Sequence, residues 1–202
     1  MHLDRYFPTP IWWMDTELDL TKLLELYKFL EDDDPEGRAL SNFGGWQSID
    51  FLPSDFEASK EFADMVEHYA NDCLQDYGLN TERFQPKINN MWFSNNKGGD
   101  FNQVHIHGGC FIAGTFYLKV PKMKNGDGEI IFYRNHFEEH FLASVTGQYD
   151  NYTPLSGVTA RYPPKANRLI MFPSYVPHGV LPSGSTEDRI SLSFNIRVDP
   201  RV

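Results

Sequence analysis

Gly98-Gly-Asp-Phe-Asn-Gln-Val-His-Ile-His107 places two histidines two residues apart in what reads as a β-strand. Side chains at i and i+2 of a strand point to the same face. His105 and His107 therefore reach toward a common point, and Ile106 faces the other way. A third histidine, His178, lies far downstream in Phe172-Pro-Ser-Tyr-Val-Pro-His-Gly-Val180, and Arg189 follows it by eleven residues. Imidazole suits iron, copper, zinc and nickel, and a facial set of three ligands with open positions suits non-haem Fe(II). A guanidinium nearby is suited to a bidentate grip on a carboxylate. His-x-His alone is a weak signal, because strand histidines are often core hydrogen-bonders or surface residues. The distal His178 and Arg189 turn the reading toward a metal.

Outward from that stretch, the chain from about Phe84 is a series of short runs rich in β-branched and aromatic residues. Gly, Pro, Asn and Asp turns separate them, among them Asn96-Lys-Gly-Gly, Asn125-Gly-Asp-Gly and Pro182-Ser-Gly-Ser. Strands are expected at 87–94, 101–107, 111–120, 129–133, 158–162, 168–172, 179–182 and 189–198. Asn90 and Trp92 share a face of the strand before the histidines. With Asn95 they are candidates for substrate contact, against core packing for Trp92.

Upstream, Ile11-Trp-Trp-Met is a first strand. Leu20, Leu23, Leu24, Tyr27 and Leu30 recur at helical spacing, with Asp19 as the expected cap. Ser54-x-x-Glu57 reads as a capping box opening a second helix, whose apolar face is Phe62, Met65, Val66, Tyr69, Cys73 and Leu74. Gly78 ends it. His68 lies beside that stripe and reads as a surface histidine. Between the helices, Asn42-Phe-Gly-Gly-Trp-Gln-Ser is either part of a substrate entrance or a loop whose Trp46 plugs into the core. Residues 134–150 read as a short helix or a lid, with His136, Glu138, Glu139 and His140 as surface or lid residues. Many short strands after two helices predict a mainly β fold, a sandwich or barrel with helices on one face.

The chain has 202 residues, enough for one domain with a substantial core and short for two. With 41% hydrophobic and 15% aromatic residues it has a globular composition. The net charge of -10 argues against nucleic acid or an anionic membrane as the main partner. Its two cysteines, Cys73 and Cys110, form no Cys-x-x-Cys pair, so a thiolate zinc site is not expected. Neither a signal peptide nor a membrane span is expected, and a cytoplasmic setting fits the free thiols.

At the histidines and Arg189 the chain resembles the 2-oxoglutarate/Fe(II)-dependent oxygenases. In that family a Gly-Asp-Phe-x-x-x-His-x-Asp segment supplies two iron ligands and a later His the third. An Arg about ten residues further on binds the far carboxylate of 2-oxoglutarate. Here Gly99-Asp100-Phe101 leads to His105-x-His107, then His178, then Arg189, and the family's Tyr-Leu strand matches Tyr117-Leu118. More narrowly, the chain resembles small oxygenase-like proteins of marine bacteria and phages. The features are Phe7-Pro-Thr-Pro-Ile-Trp12, Ser41-Asn-Phe-Gly-Gly-Trp-Gln-Ser48 and the closing segment from His178 to Asn195. The resemblance spans nearly the whole chain. It implies one oxygenase-like domain over 1–202, in which 1–83 packs on a double-stranded β-helix (jelly-roll or cupin-like barrel) of 84–202.

It also implies a dioxygenase, in the main a hydroxylase, that uses Fe(II), 2-oxoglutarate and molecular oxygen on a small-molecule or protein substrate and releases succinate and CO2. Iron would rest on His105, His107 and His178, and the far carboxylate of the cosubstrate on Arg189, assisted by Tyr117 and Ser191. The chain departs from the family at one point, where His107 replaces the carboxylate ligand. Three neutral imidazoles leave Fe(II) its full double positive charge, which dianionic 2-oxoglutarate would then neutralise. A second register takes His107-x-Gly109 as the pair, as in halogenating members, where a halide fills the gap. Two other readings stay open: a three-histidine cupin-like dioxygenase without 2-oxoglutarate, and a non-catalytic β-barrel binding module. Arg189 has a plainer alternative too, as a rim residue paired with Asp188 or Glu187.

Overall fold

Along Arg189-Ile-Ser-Leu-Ser-Phe-Asn-Ile196 polar and apolar side chains alternate, and that period of two separates the two working faces of the molecule. In the computed structural model, which describes residues 2–3, 7–144 and 148–201, Ile190, Leu192, Phe194 and Ile196 pack into the larger apolar core. Arg189, Ser191 and Ser193 line a cleft on the other side. The elements run β1 (Trp12–Asp15), α1 (Thr21–Asp33), β2 (Asn42–Phe43), β3 (Trp46–Gln47), α2 (Glu57–Asp76), β4 (Phe84–Asn96) and β5 (Phe101–His105). They continue with β6 (Ile112–Lys119), β7 (Ile130–Tyr133), α3 (His136–Ala143), β8 (Thr159–Tyr162), β9 (Arg168–Pro173), β10 (His178–Val180) and β11 (Arg189–Pro200).

One sheet has six strands in the order β1-β9-β6-β11-β4-β3, and the other five in the order β2-β5-β10-β7-β8. Every named pairing is antiparallel. From β4 on the chain passes repeatedly between them: β4, β6, β9 and β11 enter the larger sheet, and β5, β7, β8 and β10 the smaller. That winding is the double-stranded β-helix that the family resemblance implies. All eight expected strands are present. Cross-strand pairing carries β4 and β11 beyond their expected ends, in register from Arg189↔Asn96 to Pro200↔Phe84 with one bulge.

Helices α1 and α2 cover the outer face of the larger sheet. Phe62 of α2 is fully buried and its ring meets Phe116 at 5.2 Å and Phe194 at 5.8 Å. Between the sheets a smaller apolar cluster forms from Ala113, Tyr117, Ile130, Phe132, Ile170, Phe172 and Val176. This cluster floors the cleft.

The helix starts differ from expectation. Ser54 caps nothing at α2. The helix begins at Glu57 behind Phe56, whose side chain makes no cap, and Asp55 instead accepts the Leu52 N–H at 2.7 Å. Phe56 packs edge-on against Phe51 at 5.5 Å, so an apolar anchor sets this end. At α1, Asp19 accepts both the N–H and the hydroxyl of Thr21, a turn just before the helix. Gly78 ends α2 as read, at φ +72°, a conformation that glycine adopts without penalty. Trp46 is a buried plug, donating to the Asp34 carbonyl at 2.7 Å.

Candidate active site

His105 and His178 face each other across the β5–β10 pairing. His107 lies two residues beyond the end of β5, so the pair does not share one strand as expected. Its N–H donates to the Ser174 carbonyl at 2.9 Å, and this hold returns the ring to the same point. The three rings converge: one nitrogen of each lies within 4.8 Å of the others. Ring centroids are 4.4 Å apart for His105 and His178, 5.0 Å for His107 and His178, and 5.1 Å for His105 and His107.

Each ring is oriented by its neighbours. His178 Nδ1 meets the Val176 carbonyl at 3.0 Å and His105 Nδ1 the Gln103 carbonyl at 2.7 Å. Both contacts place the ring proton on Nδ1 and leave Nε2 free to ligate. His107 Nε2 lies 3.2 Å from His178 Nε2. Trp92 stacks on His107 at 5.8 Å, and Phe172 backs His178 at 4.4 Å. Burial, then the charge of His105, pulls His107 down to about 4 and His178 down to about 3. Both are neutral imidazoles at pH 7, the form that binds a metal.

On the larger sheet, deeper in the same cleft, lies Arg189, which is 2% exposed. Its Nη2 donates to the Tyr117 hydroxyl at 3.3 Å, and its guanidinium carbon stands 4.9 Å from the Tyr117 ring. Its Nε has no hydrogen-bond partner. Asp188 does not supply one: it turns outward to Lys97, Lys119 and Asn95, so the reading of Arg189 as a rim residue fails. Gly128 makes room here, since a Cβ on it would press within 3.2 Å of the Arg189 side chain. Burial pushes the Tyr117 hydroxyl above its ordinary range, against the opposing pull of Arg189, and it stays a neutral donor. Ser191, Ser193 and Thr115 complete the wall.

The donor set fits the groups that the resemblance implies. Three converged, neutral imidazoles suit a divalent transition metal. A buried cation with an unused donor and no ion-pair partner among the described residues suits the carboxylate of a small dianion. Of the other candidates, Trp92 lines the cleft, while Asn90 and Asn195 bond to each other beside it. Sequence reasoning missed Asn195, whose only signal was its place in phase with Arg189, Ser191 and Ser193. Asn95 serves the fold, joining Tyr27 to Asp188. His136, Glu138, Glu139 and His140 lie on the exposed helix α3, and Glu138 pairs with Arg134. His68 is exposed, as read.

The family model described as "Putative 2OG-Fe(II) oxygenase" matches residues 90–195, a span from β4 to β11 that holds His105, His107, His178, Tyr117, Arg189 and Ser191. No curated protein matches the sequence. Among solved structures, a Pseudomonas putida prolyl-4-hydroxylase aligns with TM-score 0.63 and 19% identity over 94% of this chain and 92% of that one. The viral collagen prolyl hydroxylase of Paramecium bursaria Chlorella virus-1, in its 2OG complex, aligns with TM-score 0.61 and 15% identity over 92% and 94%. A Trichoplax adhaerens prolyl hydroxylase in complex with a hypoxia inducible factor peptide fragment aligns with TM-score 0.59 and 16% identity over 92% and 83%. These likenesses establish the shared fold. With the family match extending over half of its length and the histidine cluster inside that match, the chain belongs to the 2OG-Fe(II) oxygenases, dioxygenases that work with Fe(II) and 2-oxoglutarate.

Proposed function

We propose that the protein hydroxylates a carbon of a small-molecule or protein substrate, holding Fe(II) on His105, His107 and His178 and the far carboxylate of 2-oxoglutarate on Arg189, with Tyr117 and Ser191 beside it. The observation that carries this reading is a buried guanidinium with a donor to spare, in one cleft with three converged imidazoles. When bound, Fe(II) and 2-oxoglutarate supply the oxidation: 2-oxoglutarate and O2 become succinate, CO2 and one oxygen atom delivered to the substrate carbon.

The chain's own contribution is placement. The carbonyls of Gln103 and Val176 hold two imidazoles with their Nδ1 protons turned away from the cleft. Arg189 and Tyr117 present fixed donors that need no rearrangement when a carboxylate arrives. The aromatic floor of Phe132 and Phe172, with ring centroids 4.9 Å apart, keeps water from beneath the histidines. Three neutral ligands leave the metal's charge uncompensated, which favours a dianionic cosubstrate. A peptide substrate finds support in the Trichoplax enzyme of the same fold. The free donor on Arg189 speaks against a three-histidine dioxygenase that lacks the cosubstrate.

Anaerobic titration of the metal-free protein with Fe(II) and then 2-oxoglutarate tests this. The expected result is the visible charge-transfer band of a chelated 2-oxo acid, which requires far higher 2-oxoglutarate in Arg189→Ala. Iron binding with no band at saturating 2-oxoglutarate would overturn it.

A further inference from the structure

Arg189 reaches its place through a gap that one glycine leaves. Gly128 is buried at φ +59°, a conformation that other residues rarely adopt. A Cβ there would stand 3.2 Å from both Cδ and Nε of Arg189 and 3.3 Å from Cε of Met123. Each of these is closer than ordinary van der Waals contact, so the arginine stem and the methionine methyl meet at the one point that glycine leaves open. Neither Gly128 nor Met123 lines the cleft, and Arg189 does. They therefore back the guanidinium on the side away from the cleft, while its head meets the Tyr117 hydroxyl.

That backing is fastened to its neighbours. The Gly128 N–H donates to the Pro182 carbonyl at 3.0 Å, and the Leu181 N–H donates to the Glu129 carbonyl at 2.9 Å. Ser183, which is 2% exposed, ties in a third turn. Its N–H donates to the Asp100 carbonyl at 2.9 Å, and its carbonyl accepts from the Gly99 N–H at 2.8 Å. Its hydroxyl also reaches Met123 Sδ at 3.8 Å. The turns around 97–100, 123–128 and 182–185 thus close the barrel behind Arg189. Close packing on a hydrogen-bonded backbone yields little to a side chain pressed against it.

We infer that Gly128 and Met123 are specificity-determining residues: by fixing how far Arg189 stands back from the cleft, they select the chain length of the 2-oxo dicarboxylate. The inference rests on the cosubstrate reading above. In that reading one end of the acid is held at the histidines, two of them on the smaller sheet, and the other end on Arg189 of the larger sheet. The protein sets the span between them, and an acid one methylene too short or too long cannot satisfy both ends. A misfit of one methylene in a fitted pocket is worth about 10- to 200-fold. Filling the gap at Gly128 presses the guanidinium into the cleft and shortens the span. Emptying the space at Met123 lets it withdraw and lengthens the span.

The test measures equilibrium binding of three acids that differ by one methylene each: fresh oxaloacetate, 2-oxoglutarate and 2-oxoadipate. Each is added to Co(II)-loaded protein and followed by the visible Co(II) spectrum. Wild type is expected to bind 2-oxoglutarate at least about tenfold more tightly than either of the others. Gly128→Ala lowers the affinity for 2-oxoglutarate and moves the ranking toward oxaloacetate. Met123→Ala moves it the other way and narrows the gap between 2-oxoglutarate and 2-oxoadipate about tenfold. Met123→Leu, which keeps the volume, holds the wild-type ranking. Alanine at a positive φ is strained, so Met123→Ala, which leaves the backbone alone, decides the matter where Gly128→Ala does not fold. A site that is merely loosened loses affinity for all three acids by one factor. Such a uniform loss, or an unchanged ranking in Met123→Ala, overturns the inference and leaves the cosubstrate reading standing. A wild type that binds Co(II) but none of the three acids overturns that reading and the inference with it.

Discussion

Arg189 donates to the Tyr117 hydroxyl at 3.3 Å while its own Nε, equally buried, meets no acceptor. A buried cation in that state is costly to the fold unless something anionic joins it. Arg189→Met removes the charge and keeps much of the volume. Without 2-oxoglutarate the variant is expected to melt no lower than wild type, and somewhat higher if the desolvation cost dominates. With 2-oxoglutarate and Mn(II), wild type gains stability through binding, and the variant gains none at the same concentration. Thermal melts with and without cosubstrate check both halves. A variant that is strongly destabilised without ligand would mean that Arg189 is chiefly structural.

Tyr117→Phe keeps the ring under the guanidinium and removes one hydroxyl. A single hydrogen bond of this kind is worth about 1 kcal/mol, which is about fivefold in affinity. KM for 2-oxoglutarate is expected to rise by about that factor while the folded protein keeps its melting temperature within a few degrees. Initial rates of succinate formation against 2-oxoglutarate concentration measure it. A loss of turnover with KM unchanged would place Tyr117 elsewhere in the reaction.

Much of this architecture was legible in the sequence because strands announce themselves locally. The alternation from Arg189 to Ile196 specifies both an apolar face and a polar one, and the structure uses both. His105, His178 and Arg189 could be placed on strands by the same reasoning. What the sequence hid depends on contacts between distant segments. His107 leaves β5, yet Ser174 pulls its backbone back into place. The Ser54 capping box lost to Phe56, which packs on Phe51. Asn90 looked like a substrate contact, but its partners are Asp50, forty residues away, and Asn195, across the sheet. No periodicity within one segment reports such pairs.

His105 separates the two ligand registers. It is half-buried, like His107, and its ring lies 4.4 Å from that of the buried His178. If all three rings bind, His105→Ala lowers Co(II) affinity by at least about tenfold, as His107→Ala and His178→Ala do. If the site uses only His107 and His178, His105→Ala leaves affinity near wild type, and added halide tightens binding. Competition with a chromophoric chelator distinguishes the two.

Phe62 joins α2 to the sheet that carries Arg189. It is fully buried and touches Phe116 and Phe194 from the helix side. Phe62→Ala opens a cavity there and is expected to cost about 3–5 kcal/mol, read as a lower urea midpoint with little change in slope. Phe62→Leu, which refills most of the space, should recover more than half of the loss. Equal losses in the two variants would show that the site does not depend on volume.

Asp188 directly precedes β11, next to Arg189, and its effect should appear as a pH dependence. Hydrogen bonding from Asn95, followed by the contacts with Lys119 and Lys97, holds its carboxyl at about 2, against an ordinary 3.8. Between those values the unfolded chain binds the proton more readily than the folded one does. The stabilisation is therefore complete above about pH 4 and disappears as the pH falls toward about 2. Because the carboxylate is partly open to solvent, its contribution is on the order of 1 kcal/mol. Asp188→Asn should unfold at lower urea than wild type at pH 7 and at pH 5, and the gap should narrow steadily from pH 4 downward. A gap that stays constant with pH would assign the effect to the lost hydrogen-bond geometry and not to the charge. The Asn95–Tyr27 bond of 2.9 Å gives a second reading of the same lock: loosening Asp188 should speed amide exchange where α1 meets β4, and leave the β5–β10 pairing that carries His105 and His178 unchanged.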